Sequence, residues 1–167
     1  MLKWNKKFKY PETVREMIDG ARHYSIDNRK LPSVTTILQS TQSDEKKAVL
    51  ENWQKKVGYD NAEQIKNTAA NRGSIMHHII ESYLLDERHA DLSEIGQQAG
   101  KMAQIIIDQG LKGSMDEIWG TEVTLYYPDL YAGASDLAGI YEGRESIMDF
   151  KQSNKPKRKE WISDYFL

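Results

Sequence analysis

Tyr131-Ala-Gly-Ala-Ser-Asp136-Leu-Ala-Gly-Ile-Tyr141-Glu-Gly-Arg-Glu145-Ser-Ile-Met-Asp149-Phe-Lys151 carries the most structural information in the chain. Period-two patterning over 131–141 and 146–151, with Glu142-Gly143-Arg144-Glu145 between them, predicts two antiparallel strands joined by a tight turn. Side chains alternate faces along a strand, so Asp149 and Lys151 share one. A two-residue loop at Gly143-Arg144 pairs Glu142 with Glu145 and sets Asp136 opposite Lys151. A four-residue loop keeps that parity; a three-residue loop sends Asp136 to the other face. With an even loop, two carboxylates and one ammonium meet at the end of the hairpin away from the turn. Two like charges beside one lysine are costly to bury uncompensated. A divalent cation compensates them: carboxylate oxygens are hard ligands for Mg2+ or Mn2+, and the Phe150 carbonyl adds another oxygen. Small neighbours (Ala134, Ala138, Gly139) leave room for a ligand. They suit close packing against a helix equally well, and Asp-x-Lys on a solvated face makes an ordinary surface ion pair.

Working back from the hairpin, Ile118 to Tyr127 reads as a preceding strand stopped by Pro128-Asp129. Upstream the period changes to that of a helix. Ser43 caps a helix opening Asp44-Glu45 and ending at Gly58. A second helix is expected over about 61–71, broken at Gly73-Ser74, and a third begins there with Ile75, Ile79, Ile80, Tyr83 and Leu84 on one face. A fourth runs from Ser93 to Gln109. Arg22 to Ile26 alternates as a strand, Asp27 to Lys30 is a turn, and Ser33 caps a short helix over 34–39. Trp161 onward reads as the start of another helix. The predicted class is α/β of the α+β kind: helices, then a three-strand antiparallel meander packed on them.

The 167 residues suffice for one core, and sixteen aromatics (9 Tyr, 4 Trp, 3 Phe) exclude a disordered chain. Zero Cys excludes disulfides, thiolate zinc sites and thiol catalysis. No apolar run is long enough to span a membrane, and the N-terminus lacks a secretory leader's apolar stretch, so a cytoplasmic location is expected. No glycine-rich phosphate loop lies between strand and helix. The net charge of −2 makes no global basic surface, so an anionic partner must meet a local patch or a bound cation.

Asp136 followed by Asp149-Phe150-Lys151 across a Gly-containing hairpin resembles the PD-(D/E)XK nuclease superfamily. Within it, the resemblance is to the branch of RecB-type nuclease domains and mitochondrial genome-maintenance exonucleases. Leu31-Pro-Ser-Val-Thr-Thr-Ile-Leu38 is similar to the segment that opens many such domains. Arg72-Gly73-Ser-Ile-Met-His77 matches the branch's Arg-Gly-x-x-x-His helix start, with Glu81 one turn on. The strand carrying Glu122 precedes the Gly133-x-x-Asp136 element, as it does in the family.

The resemblance implies a restriction-endonuclease-like core over 22–167, after a basic and aromatic segment over 1–21. It implies a deoxyribonuclease dependent on Mg2+ or Mn2+, acting as an exonuclease in replication, recombination or repair. Asp136, Asp149, His77 and the Phe150 main-chain oxygen would hold metal, and Lys151 would be the catalytic lysine. Glu81, a helical turn from His77, would orient its ring, and Glu122 would support the ligands from behind. Spacing alone leaves His77 a helix-surface histidine beside His78; the motif selects His77. DNA, single-stranded or at ends, would be the partner, with a helicase or replication or recombination factor alongside. Lys155, Lys157, Arg158 and Lys159 would meet phosphates while Trp161 stacks on a base. The same loop on a solvated surface, with Trp161 in the core, is the plain alternative. Ser135 stands where the family has Pro, and Gln152 where it often has Thr. The family continues with a Gln-x-x-x-Tyr helix and a further strand, so a C-terminal truncation at Leu167 is expected. A non-catalytic DNA-binding or assembly module on the same scaffold is the alternative function.

Overall fold

A computed structural model of the protein describes residues 2–153. The basic loop residues Lys155, Lys157, Arg158 and Lys159, together with Trp161 and the helix expected from it, lie outside the described residues. Among those described, the order is strands β1 (Val14–Ile18), β2 (Ala21–Ile26) and β3 (Arg29–Pro32), then helices α1 (Val34–Ser40), α2 (Asp44–Val57), α3 (Tyr59–Leu84) and α4 (Glu94–Ile105). A π-helical turn (Ile106–Leu111) comes next, then β4 (Met115–Tyr127), β5 (Tyr131–Tyr141) and β6 (Arg144–Met148). The strands form two antiparallel sheets, β1-β2-β3 and β4-β5-β6. Among the described residues no helix is long and apolar enough to cross a membrane.

The caps form as expected. Ser33 Oγ accepts from the Thr36 N–H at 3.0 Å and Ser43 Oγ from the Lys46 N–H at 3.4 Å, each satisfying a donor that helix geometry leaves open. Gly58, at φ 86°, ends α2 in a conformation that L side chains rarely adopt.

The expected break at Gly73-Ser74 does not occur. α3 runs unbroken through it for 26 residues, because one interior glycine costs only about 1 kcal/mol. The glycine answers a contact: a Cβ there would lie 2.9 Å from Gln152 Nε2.

β1 has no counterpart among the expected elements. Its apolar residues Val14 and Met17 are exposed, so no buried alternation marks it, although Asp19-Gly20 joins it to β2 with φ 49° and 76°, the values a type I′ hairpin requires. Residues 14–18 therefore share a sheet with β2 and β3.

The β5–β6 loop is Glu142-Gly143, one position earlier than Gly143-Arg144. Both residues have positive φ, 48° and 75°, and the type I′ turn places glycine second. Tyr141 pairs with Arg144 and Leu137 with Met148. Continuing that register brings Asp136 level with Asp149 rather than Lys151. Parity is unchanged, but β6 ends at Met148, short of the strand expected to Lys151.

The main core joins Met76, Ile80 and Leu84 of α3 to Ala99 and Ala103 of α4, Ile107 and Leu111 of the π-helical turn, and Met115, Ile118 and Leu137 of the second sheet. Each fully buried Leu, Ile or Met contributes roughly 1.5–3 kcal/mol. A smaller cluster (Tyr24, Ile26, Leu31, Ala132) joins the two sheets, and Ser33 bridges to Ala132 beside it.

Candidate metal centre

Three elements converge where β5 meets the end of β6. α3 contributes His77, β4 contributes Glu122 and β5 contributes Asp136. The His77 ring nitrogen and one carboxylate oxygen from each acid lie within 4.8 Å of one another. Asp136 is 8% exposed and sits against the core strand position Leu137. The pairs Thr121–Leu137 and Val123–Ser135 flank Glu122 and set it level with Asp136 across the ladder. Glu122 itself has φ 50°, a left-handed backbone in mid-strand. Register shifts on either side of Glu117 bend β4 just upstream, and such bulges re-aim side chains beside functional sites.

His77 Nδ1 lies 3.3 Å from Asp136 Oδ1 and 3.8 Å from Glu122 Oε1, while Nε2 is 2.8 Å from the Phe150 carbonyl oxygen. Asp136 and then Glu122 hold the imidazolium charged against the opposing effect of burial, and its pKa is pushed up to about 10. Both ring nitrogens then donate: Nδ1–H toward the acids and Nε2–H to Phe150. For Asp136, burial alone would raise the carboxyl. His77 and the Phe150 N–H, with a Coulombic contribution from Lys151, outweigh it and leave the pKa lowered. The Phe150 N–H donates to Asp136 Oδ2 at 2.5 Å. A freed strand end thus supplies both main-chain groups of Phe150 to the site.

Asp149 stands outside the three-residue group and pairs with Lys151. Both are about half exposed, at 45% and 44% of their side chains. Glu81 makes its ion pair with the neighbour of His77. Its carboxylate pairs with His78 Nδ1 at 3.7 Å, three residues back rather than four, and His78 stacks edge-on with His89. The groups that orient the His77 ring are Asp136, Glu122 and the Phe150 carbonyl.

The sequence alone assigns no contact to Gln152. Arg72 Nε donates to its Oε1 at 2.8 Å, and its amide nitrogen donates to the Ala69 carbonyl. Glycine directly after Arg72 is the available signal, since an interior helical glycine without a break implies close approach by another segment.

One imidazole nitrogen and two carboxylate oxygens, aimed at a single proton shared between them, make a donor set that fits a divalent cation in place of that proton. The mix of hard oxygens and one nitrogen suits Mn2+ at least as well as Mg2+.

The class these observations define is a mixed α/β protein with a His-and-two-carboxylate cluster between a long helix and the start of a hairpin. No family model matches the chain. The chain is similar to mitochondrial genome maintenance exonuclease 1 of Mus musculus, at 27% identity over 137 residues, covering 79% of this chain and 40% of that protein. It is similar also to the proteins of that name from Homo sapiens, at 26% with 76% and 38% covered, and Xenopus tropicalis, at 29% with 83% and 40% covered. The chain spans at most 40% of the length of these curated relatives.

Proposed function

We propose that this chain is a divalent-metal-dependent DNA nuclease, an exonuclease of the PD-(D/E)XK kind with a restriction-endonuclease-like core. The observation that carries the reading is the convergence of His77, Asp136 and Glu122 next to the Asp149-Phe150-Lys151 segment. Likeness to proteins named as exonucleases supports it.

His77 and Asp136 would hold the metal, with Glu122 as the third side chain and Asp149 on the open side. A bound cation supplies Lewis-acid polarisation of a phosphate oxygen and makes an attacking water more acidic. The chain's own residues do the rest. Lys151 orients the attacking water and offsets the charge that develops on the phosphate, as a preorganised cation does in a partly dry site. Asp149 restrains the Lys151 side chain through their ion pair. Phe150, fixed at its N–H by Asp136 and at its carbonyl by His77, anchors the segment that carries the Asp149–Lys151 pair beside the cluster.

The test is digestion of end-labelled single-stranded DNA with Mg2+ or Mn2+, with and without chelator. Lys151→Ala and Asp136→Ala should each lower kcat by about a hundredfold or more while gel-shift affinity stays within about threefold. Cleavage that persists in chelator, or a Lys151→Ala variant that cuts like the parent, refutes the reading. Binding by the parent without any cleavage would assign the chain to a non-catalytic module.

A further inference from the structure

Arg72, Gly73 and His77 lie within six positions of α3, and all three meet residues 150–152, the segment just after β6. His77 holds the Phe150 carbonyl. Arg72 Nε donates to Gln152 Oε1, and the Gln152 amide donates to the Ala69 carbonyl one turn earlier on the helix. Ala69 lies inside α3, so its carbonyl takes the Gln152 donor besides its helical partner, and close approach is needed. Gly73 permits it: a Cβ there would sit 2.9 Å from Gln152 Nε2 and 3.6 Å from its Cδ. On the opposite side Asp136 holds the Phe150 N–H. Lys151 is thus bracketed by two residues that are each tied to α3, although it has left the sheet.

We propose that Gln152, gripped by Arg72 and the Ala69 carbonyl over Gly73, is a positioning residue that fixes Lys151 relative to the His77–Asp136 cluster. Arg72 acts through Gln152 and not on substrate. This rests on the nuclease reading for its kinetic consequence but not for its structural one. Lys151 is paired with Asp149, and pinning its neighbours to α3 sets where that pair sits relative to the cluster; catalysis loses steeply when a charged group is displaced by an ångström.

The experiment uses the full chain with Gln152→Ala, Arg72→Ala, the double variant and Gly73→Ala. Amide hydrogen exchange is read at Phe150, with Leu137 in the ladder as internal reference. Exchange at Phe150 should quicken about tenfold in Gln152→Ala and Gly73→Ala, the equivalent of one lost hydrogen bond, with Leu137 unchanged. Activity should fall by a similar factor in kcat, with KM for single-stranded DNA held within about twofold. Arg72→Ala and Gln152→Ala should be non-additive, the double variant matching the worse single.

Gly73→Ala separates positioning from folding. Alanine is the better helix former, so its Tm should equal or exceed the parent's while Phe150 exchange and kcat worsen. Unchanged Phe150 exchange in both Gln152→Ala and Gly73→Ala overturns the proposal. So does an Arg72→Ala effect carried in KM and additive with Gln152→Ala, which would make Arg72 a phosphate contact. If the parent chain cuts no DNA, the nuclease reading fails alone and the exchange result still decides the proposal.

Discussion

Glu122 combines a carboxylate of the His77–Asp136 cluster with a backbone that strands avoid. For a residue with a Cβ, the left-handed region costs roughly 1–2 kcal/mol, and such strain persists where surrounding packing over-determines it. Glycine there removes the strain and the carboxylate together, whereas glutamine removes only the charge. Glu122→Gly should therefore be more stable than Glu122→Gln by up to about 1 kcal/mol, and both should bind Mn2+ more weakly than the parent. Thermal melts and a Mn2+ titration check this; a glycine variant less stable than the glutamine one would contradict it. His77 gives the second residue-level expectation. Its folded pKa, about 10, lies above the unfolded value of about 6.5. In the metal-free protein its stabilisation is complete below about pH 6.5 and is lost as pH rises through about 10. A cation at Nδ1 displaces that proton, so affinity should climb across the same window. Calorimetry in buffers of differing ionisation enthalpy at about pH 8 should record about one proton released per Mn2+ ion. Binding with no proton release would place the metal elsewhere.

At the scale of elements, the features legible in the sequence are those that local chemistry determines. Ser33 and Ser43 as caps, Gly58 as a stop, Pro128 after β4 and the span of β5 all arise from groups within a turn or two of one another. Signals that depend on a distant partner are harder to read. Gly73 has the pattern of a breaker because the residue that needs its bare Cα, Gln152, is far along the chain. The β5–β6 loop sits one position earlier, which moves the pairing by two residues and keeps its parity, because Gly143 fits either loop position on composition and only the positive φ at Glu142 separates them. The site shows the same division. Strand parity brings Asp136 level with the Asp149 segment, and the resemblance carried by Arg72-Gly-x-x-x-His77 points to His77 rather than His78. Glu122 comes level with Asp136 through the unbroken register that runs back from the Tyr127–Tyr131 pair, whereas the turn of Asp149 to Lys151 goes with the early end of β6, which no local pattern marks. Glu81 meets His78 because i+3 and i+4 neighbours compete on one helix face, and spacing alone does not rank them.

Across the whole molecule, the helix that carries His77 and the strand that carries Glu122 are also tied far from the site. The N-terminal segment does this. Lys3 and Asn5 exchange main-chain hydrogen bonds with Ile118 of β4, both at 2.8 Å, and the Trp4 indole donates to the Leu84 carbonyl at the end of α3, at 3.2 Å. Glu117 anchors the arrangement from within β4, pairing with Lys3 at 2.8 Å and accepting from Asn5 at 2.8 Å and the Trp119 indole at 2.7 Å. Lys3 first, then Trp119 and Asn5, hold its carboxyl down at about 2. A depressed carboxylate contributes stability that is present above its unfolded pKa and lost as pH falls through the folded one. The Glu117 contribution should therefore vanish between about pH 4.5 and about pH 2. Glu117→Gln should melt lower than the parent at neutral pH and lose less Tm on acidification, since its amide cannot titrate. Because the tie joins α3 to β4, the same variant should loosen the His77–Glu122 approach and weaken Mn2+ binding without touching a ligand. Melts from about pH 2 to 7 with a Mn2+ titration at neutral pH decide it. Equal acid slopes in parent and variant would show that Glu117 is not the group holding the N-terminal segment.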